Sequence, residues 1–131
     1  MWGYRNIWQP RSNLIIDTEG KLDIIRGILN EKKAVDIEEI DVTSRTLLAD
    51  YFVICGGTSN THIKAIADGL LKDGKDAGLR KDHAEGYAQA KWVLVDYGDI
   101  VVHIFAAEER EFYDIESLWK QTAARLASAK E

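Results

Sequence analysis

One cysteine and one proline in 131 residues remove several classes of protein at the outset. Cys55 alone cannot form an internal disulfide or a multi-cysteine zinc site, and a reducing compartment is its simplest setting. It lies in the apolar run Tyr51-Phe52-Val53-Ile54-Cys55 with nothing nearby to lower its pKa, so it reads as a small buried hydrophobe rather than a nucleophile. No apolar run approaches the ~20 residues of a membrane span, and the N-terminus lacks an apolar block with a cleavage site. A cytoplasmic protein is the expectation. Positive charge is also scarce: 22 acidic residues stand against 17 basic ones, a net charge of -5. That is the wrong sign for a protein that holds nucleic acid mainly through phosphates, and a basic partner fits better.

The acidic excess is concentrated. Asp96, Asp99, Glu108, Glu109, Glu111, Asp114 and Glu116 face Arg110 alone in that stretch, a pattern that suits a solvated helix face and a docking surface for a basic protein equally well. With 46% apolar and 30% charged residues the chain fits one globular domain, able to bury roughly two thirds of its unfolded surface. Two separate cores would be hard to build.

Residues Met1 to Asp17 differ from the rest. Trp2, Tyr4, Ile7 and Trp8 are scattered among polar groups, and Pro10 interrupts any regular element, so this segment reads as a poorly ordered extension. The domain proper is expected over 18–127, with a short tail at 128–131. Thr18 is a plausible N-cap for a helix carrying Leu22, Ile25, Ile28 and Leu29 at three- and four-residue spacing. A first strand follows from Ala34 to Val42, then a polar turn, then a stronger and central strand from Asp50 to Cys55. That strand runs into Gly56-Gly57-Thr58-Ser59-Asn60 and a helix with Ile63, Ile66, Ala67, Leu70 and Leu71 on one face, which Ser59 or Asn60 can cap.

After a polar connection from Leu79 to Gln89, a hairpin is predicted in Lys91-Trp92-Val93-Leu94-Val95-Asp96-Tyr97-Gly98-Asp99-Ile100-Val101-Val102-His103-Ile104-Phe105. A two-residue loop at Tyr97 and Gly98 would set Val93 opposite Val102 and Trp92 opposite His103. One ribbon face is then aliphatic (Val93, Val95, Ile100, Val102, Ile104). The other mixes Trp92, Leu94, Asp96, Val101, His103 and Phe105, which suits a partly exposed binding face better than a sealed core. A final helix from Glu108 to about Ala127 places Phe112, Ile115, Leu118, Trp119, Thr122 and Leu126 on its buried stripe, with Glu116 and Lys120 paired on the solvent side. The order of elements argues an α/β (α+β) fold, a single mixed β-sheet packed with helices.

Three chemistries compete with simple binding. Gly56-Gly57-Thr58-Ser59 at a strand-to-helix turn could approach a phosphate or nucleotide. It matches neither standard phosphate-loop pattern, however, and the nearest downstream acid, Asp68, leaves a metal-binding carboxylate pair missing; a structural turn with a helix cap is favoured. His83-Ala84-Glu85 is the first half of a zinc-deaminase signature whose second half cannot exist here, since the one cysteine and the one proline lie upstream. His62, His83 and His103 share no ligand spacing. No metal, cofactor or catalytic residue is assigned. Trp92 and the acidic run point to recognition instead, because Trp and Tyr carry large terms in protein interfaces, whereas Trp119 falls on the buried stripe.

The stretches Asp50 to Asn60, Glu85-Gly86, Trp92 to Phe105 and Arg110 to Trp119 closely resemble the ribosomal silencing factor family, also called Iojap-like. The likeness spans about Lys21 to Trp119, with several motifs in the right order. It implies a nucleotidyltransferase-like fold lacking catalytic carboxylates, and no enzyme activity. It also implies binding to the large ribosomal subunit at its fourteenth large-subunit protein, which blocks joining of the small subunit and represses translation when nutrients are limiting. Carried over residue by residue, the partner-binding candidates are Trp92, at or beside that contact, with Glu85, Gly86, Lys91, Asp96, Gly98, Arg110 and Glu116 from the same motifs. Direct nucleic-acid binding is not expected as the main mode, and a homodimer is left open. The competing reading is a nucleotidyltransferase-like enzyme that uses the Gly56 to Ser59 turn.

Overall fold

The computed structural model describes residues 16–120, so the extension before Ile16, the tail, and Thr122 and Leu126 lie outside the described residues. A five-stranded mixed sheet, ordered β1-β2-β5-β4-β3, comprises β1 (Val35–Asp41), β2 (Tyr51–Gly57), β3 (His83–Glu85), β4 (Trp92–Asp96) and β5 (Ile100–Ala106). Helices α1 (Thr18–Glu31) and α2 (Asn60–Asp76) precede β1 and follow β2, α3 (Ala107–Tyr113) leaves β5 directly, and residues 115–120 are helical again. β2 and β5 run parallel at the centre, while every other pairing is antiparallel. Their near-continuous apolar sequences suit strands covered on both faces, and β5 is buried from Ile100 to Phe105.

One face of the sheet meets α1 and α2. Leu22, Ile25 and Leu29 from α1 and Ile63, Ile66 and Leu70 from α2 close over Val53, Val93, Val95, Val102 and Ile104, as the aliphatic ribbon face predicts. Ile16 packs against this core from the front of the chain. The N-cap of α1 is Asp17, whose carboxylate accepts from the Gly20 amide at 2.8 Å, and not Thr18. The Thr18 hydroxyl is engaged elsewhere, donating to Asp99 Oδ2 at 2.7 Å, and Lys21 bonds the other oxygen at 2.8 Å. Asp99 also accepts from the backbone amides of Asp50 and Tyr51 through its carbonyl, at 2.7 and 3.1 Å. One turn residue thus ties the start of α1, the start of β2 and the hairpin together.

The opposite face is more buried than the alternating pattern suggests. A second cluster there contains Ile40, Val42, Ala49, Ile54, Val101 and Phe105, covered in part by Ile115 and Trp119, and the Trp119 ring stands edge-on to Phe52 at 5.1 Å. Covering β2 and β5 on both sides requires two apolar layers, not the single core expected. His103 and Phe105 are consequently sealed, at 5% and 1% exposure, while Trp92, Leu94 and Asp96 of the adjoining strand stay half-buried.

The hairpin register also differs from expectation. Trp92 pairs with Phe105, Val93 with Ile104 and Val95 with Val102, and the Tyr97 amide donates to Ile100 O at 2.8 Å, so the loop residues are Gly98 and Asp99. Gly98 takes φ +93°, which glycine adopts freely and tyrosine would not, and the Asp96 carboxylate accepts from its amide at 2.7 Å. Because the slip is two residues, each side chain keeps its face. The polar connection contains β3, three residues long with polar ends; its brevity hid it from pattern, and His83 and Glu85, 2.6 Å apart, blunt a sheet edge.

The final helix is not continuous. Asp114 takes a left-handed φ of 45° and caps α3, so the chain turns and lays Ile115 and Trp119 on the second cluster. Arg110 bridges the break, bonding Glu116 at 2.9 and 3.0 Å and the carbonyls of Val35 and Asp36 at 3.3 and 2.7 Å. Those carbonyls sit at the irregularity in β1 between Val35 and Glu38, where the ladder leaves groups unpaired. Glu116 is therefore matched with Arg110, and Lys120 with Glu38 at 2.6 Å, in place of the expected Glu116–Lys120 pair. Phe112, expected on the buried stripe, is 78% exposed.

Gly86 combines φ +88° with a backbone approach so close that a Cβ would stand 2.1 Å from Trp92 O. Gly86→Ala should cost about 2–3 kcal/mol of stability, read as a lower midpoint in thermal or urea unfolding. An unchanged midpoint would contradict so close an approach.

Candidate recognition surface

Where β4 begins, the sheet's second face runs out of cover. The 115–120 helix shields β2 and β5, so β4 presents Trp92 at the boundary between buried and open surface. The Trp92 indole lies against Phe105, centroids 4.8 Å apart, and against Tyr113 of α3 at 4.9 Å. Its Nε1 donates to His103 Nδ1 at 3.1 Å. On its open side is a shallow cavity of about 300 Å³ lined by Glu85, Gly86, Trp92 and Leu94. Beyond Tyr113 a second hollow of about 400 Å³ is lined by Glu108, Glu109, Phe112 and Tyr113. The result is an aromatic centre of Trp92, Tyr113 and Phe112 rimmed by Glu85, Glu108 and Glu109. Such a surface can bury aromatic area against a partner while its rim favours a basic one.

The eight candidates from the sequence divide by position. Glu85, Gly86 and Trp92 line one cavity, and Lys91 is exposed just before Trp92, its carbonyl accepting from the Ala106 amide at 2.9 Å. Gly86 contributes backbone shape. Asp96 and Gly98 sit at the far end of the hairpin, about 13 Å along the strand from Trp92, and build the turn. Arg110 and Glu116 face each other and β1, only 16% and 19% exposed; the hydrogen bond to Glu116 holds the Arg110 pKa up, against the opposing effect of burial. The structure adds Phe112 and Tyr113, and it keeps Leu94 of the mixed ribbon face beside Trp92. Two adjacent aromatics cannot both follow one helical stripe, and that was the available signal for Phe112 and Tyr113.

The alternative chemical centres fold into the structure differently. In the glycine turn, a Cβ on Gly57 would lie 2.5 Å from the Ile63 side chain, so its glycine answers to packing. The Thr58 amide donates to His62 Nδ1 at 2.9 Å, the His62 amide donates to Ser59 Oγ at 3.0 Å, and His62 Nε2 lies 2.8 Å from Lys32 O. Two amides of the turn and first helical residues, those of Thr58 and His62, are thus engaged, with Ser59 as the cap of α2. Cys55 is buried and desolvation pushes its thiol up to about 12, consistent with a packing role. His62, His83 and His103 sit on α2, β3 and β5, and among the described residues no three His, Cys, Asp or Glu side chains group to hold a metal. None of the described helices is long and apolar enough to cross a membrane.

The model of the family described as ribosomal silencing factor during starvation matches residues 16–131. The chain belongs to the ribosomal silencing factor family. A ribosomal silencing factor from Bacillus subtilis is 41% identical over 98 residues, 75% of this chain and 83% of that protein. A mouse protein named for mitochondrial assembly of the ribosomal large subunit is 37% identical over 114 residues, 85% of this chain and 50% of the mouse protein. A crystal structure from Chromobacterium violaceum superposes with a TM-score of 0.77 at 35% identity, covering 79% of this chain and 87% of that one. Family membership confirms the resemblance carried by the hairpin and glycine-turn motifs, and family relatives are named as silencing factors.

His103 gives this surface a measurable signature. Desolvation lowers its pKa from 6.5 to about 4, so below pH 6.5 the unfolded chain takes up a proton that the folded chain refuses. Stability should decline by roughly 3 kcal/mol as pH falls from about 6.5 to 4. Urea unfolding across that range should show the decline, and His103→Asn should flatten it; equal slopes for the two proteins would contradict a buried neutral imidazole.

Proposed function

We propose that this chain binds the large ribosomal subunit through the surface around Trp92 and, by occupying the face that meets the small subunit, blocks joining and represses translation when nutrients are limiting. The partner in this reading is the fourteenth large-subunit protein, and the place of action is the cytoplasm. The observation that carries it is the aromatic centre of Trp92, Tyr113 and Phe112 inside an acidic rim. Aromatic anchors supply interface energy, and the rim steers a basic ribosomal surface into register. With the Thr58 and His62 amides engaged internally and Gly57 packed against Ile63, the glycine loop offers less to a nucleotide, and binding without chemistry is the better account.

Gradient sedimentation with purified subunits tests the proposal. The protein should co-migrate with the large subunit and, in excess, reduce the yield of joined ribosomes; free protein at the top of the gradient together with normal joining would sink it. Trp92→Ala should weaken large-subunit binding by ~2 kcal/mol or more with the fold retained by circular dichroism. An unaltered affinity would move the contact away from this surface.

A further inference from the structure

Trp92 does not hold its orientation by stacking alone. An indole N–H can only donate, so the 3.1 Å contact from Trp92 Nε1 to His103 Nδ1 requires a lone pair on Nδ1 and puts the imidazole proton on Nε2. Histidine is an unusual choice for the position, because it is 5% exposed and its Nε2 has no hydrogen-bond partner. A buried polar atom without a partner is a cost, and an apolar residue would fill the same site without it. The ring is wedged between Phe52, edge-on at 5.0 Å, and Phe105, near-parallel at 6.2 Å. Along the ladder its row neighbours are Ile54 and Leu94, so neither flanking strand offers another acceptor or a charge. What histidine supplies here, and the apolar alternatives do not, is an acceptor aimed at the half-buried indole.

We propose that His103 is a positioning residue that fixes the Trp92 indole on the recognition surface through its Nδ1 acceptor. This rests on the reading of that surface as the large-subunit contact. Stacking on Phe105 and Tyr113 sets the plane of the indole, and the hydrogen bond sets its rotation within the plane, which decides how the ring edge faces the cavity shared with Glu85 and Leu94. An anchor held in its bound orientation before contact loses less freedom on binding. Burial keeps the imidazole neutral, so the acceptor is present throughout the physiological pH range.

A double-mutant cycle combined with NMR of the free protein tests this. In His103→Leu the indole Nε1–H cross-peak of Trp92, assigned by its loss in Trp92→Phe, should shift and exchange faster with solvent. Affinity for the large subunit should fall about tenfold. In the Trp92→Phe background the same change should alter affinity less than about twofold, because there is no N–H left to hold. His103→Asn, whose side-chain carbonyl can accept near the Nδ1 position, should recover most of the affinity and the slow exchange. An unmoved cross-peak, wild-type affinity in His103→Leu, or an equal loss in both backgrounds would overturn the role. The two readings fail separately: wild-type binding by Trp92→Ala removes the surface and this inference with it. A weakened Trp92→Ala beside a His103→Leu that binds like wild type overturns His103 alone.

Discussion

The parallel pairing of β2 and β5 is the constraint on which the other elements depend. Parallel strands need cover on both faces, and Val53, Cys55, Val102 and Ile104 point to one side while Ile54, His103 and Phe105 point to the other. Two long helices cover the first side. The second is covered by less: the segment around Val42 and Ala49, and the short run carrying Ile115 and Trp119. That cover reaches the central strands and stops before β4 is closed, so the half-buried aromatic edge at Trp92 follows from how little chain is spent on the second layer.

The same economy explains the joint at Asp114. The left-handed Asp114 ends α3, and the chain after it lays Ile115 and Trp119 on the second cluster, with Trp119 against Phe52. Turning the chain costs a left-handed aspartate, which tolerates that conformation better than most residues, and leaves Arg110 beside both the β1 irregularity and Glu116. Arg110 and Glu116, two of the partner-binding candidates, also close this joint through their paired hydrogen bonds. Neighbouring positions in one motif can therefore serve the scaffold and the surface separately.

Much of the scaffold was legible in the sequence. The helical periods of α1 and α2, the apolar β2 and the Ser59 cap all obey local rules, and the two faces of the ribbon emerged correctly because alternation survives a slip of two residues. What local pattern could not supply were decisions made by distant partners. The hairpin register depended on which residue accepts a positive φ, β3 exists because Asp96, Val95 and Leu94 offer it a ladder, and the left-handed Asp114 depends on packing against β1 and β2. In the candidate recognition surface, Trp92 and Glu85 are residues the sequence motifs had already picked out, and they line one cavity. Phe112, Tyr113 and the buried His103 needed the break in the helix and the second apolar layer to be seen.

The Asp99 junction has a consequence in time. Thr18 and Lys21 find their partner 81 and 78 residues later in the chain, and burial of Asp99 opposes its charge until the Lys21 ammonium and Thr18 hydroxyl outweigh it and hold its pKa low. At 5–20 residues per second of synthesis, α1 waits on the order of 4–16 s for that turn to be made, and the parallel partner of β2 comes at the same late point. Leu22, Ile25, Ile28 and Leu29 have α2 and the β2 residues Val53 and Cys55 to lean on meanwhile, but not Val102 or Ile104 of β5. The sheet thus stays open between the completion of α2 at Asp76 and that of β5 at Ala106, and closes only when the last central strand is made.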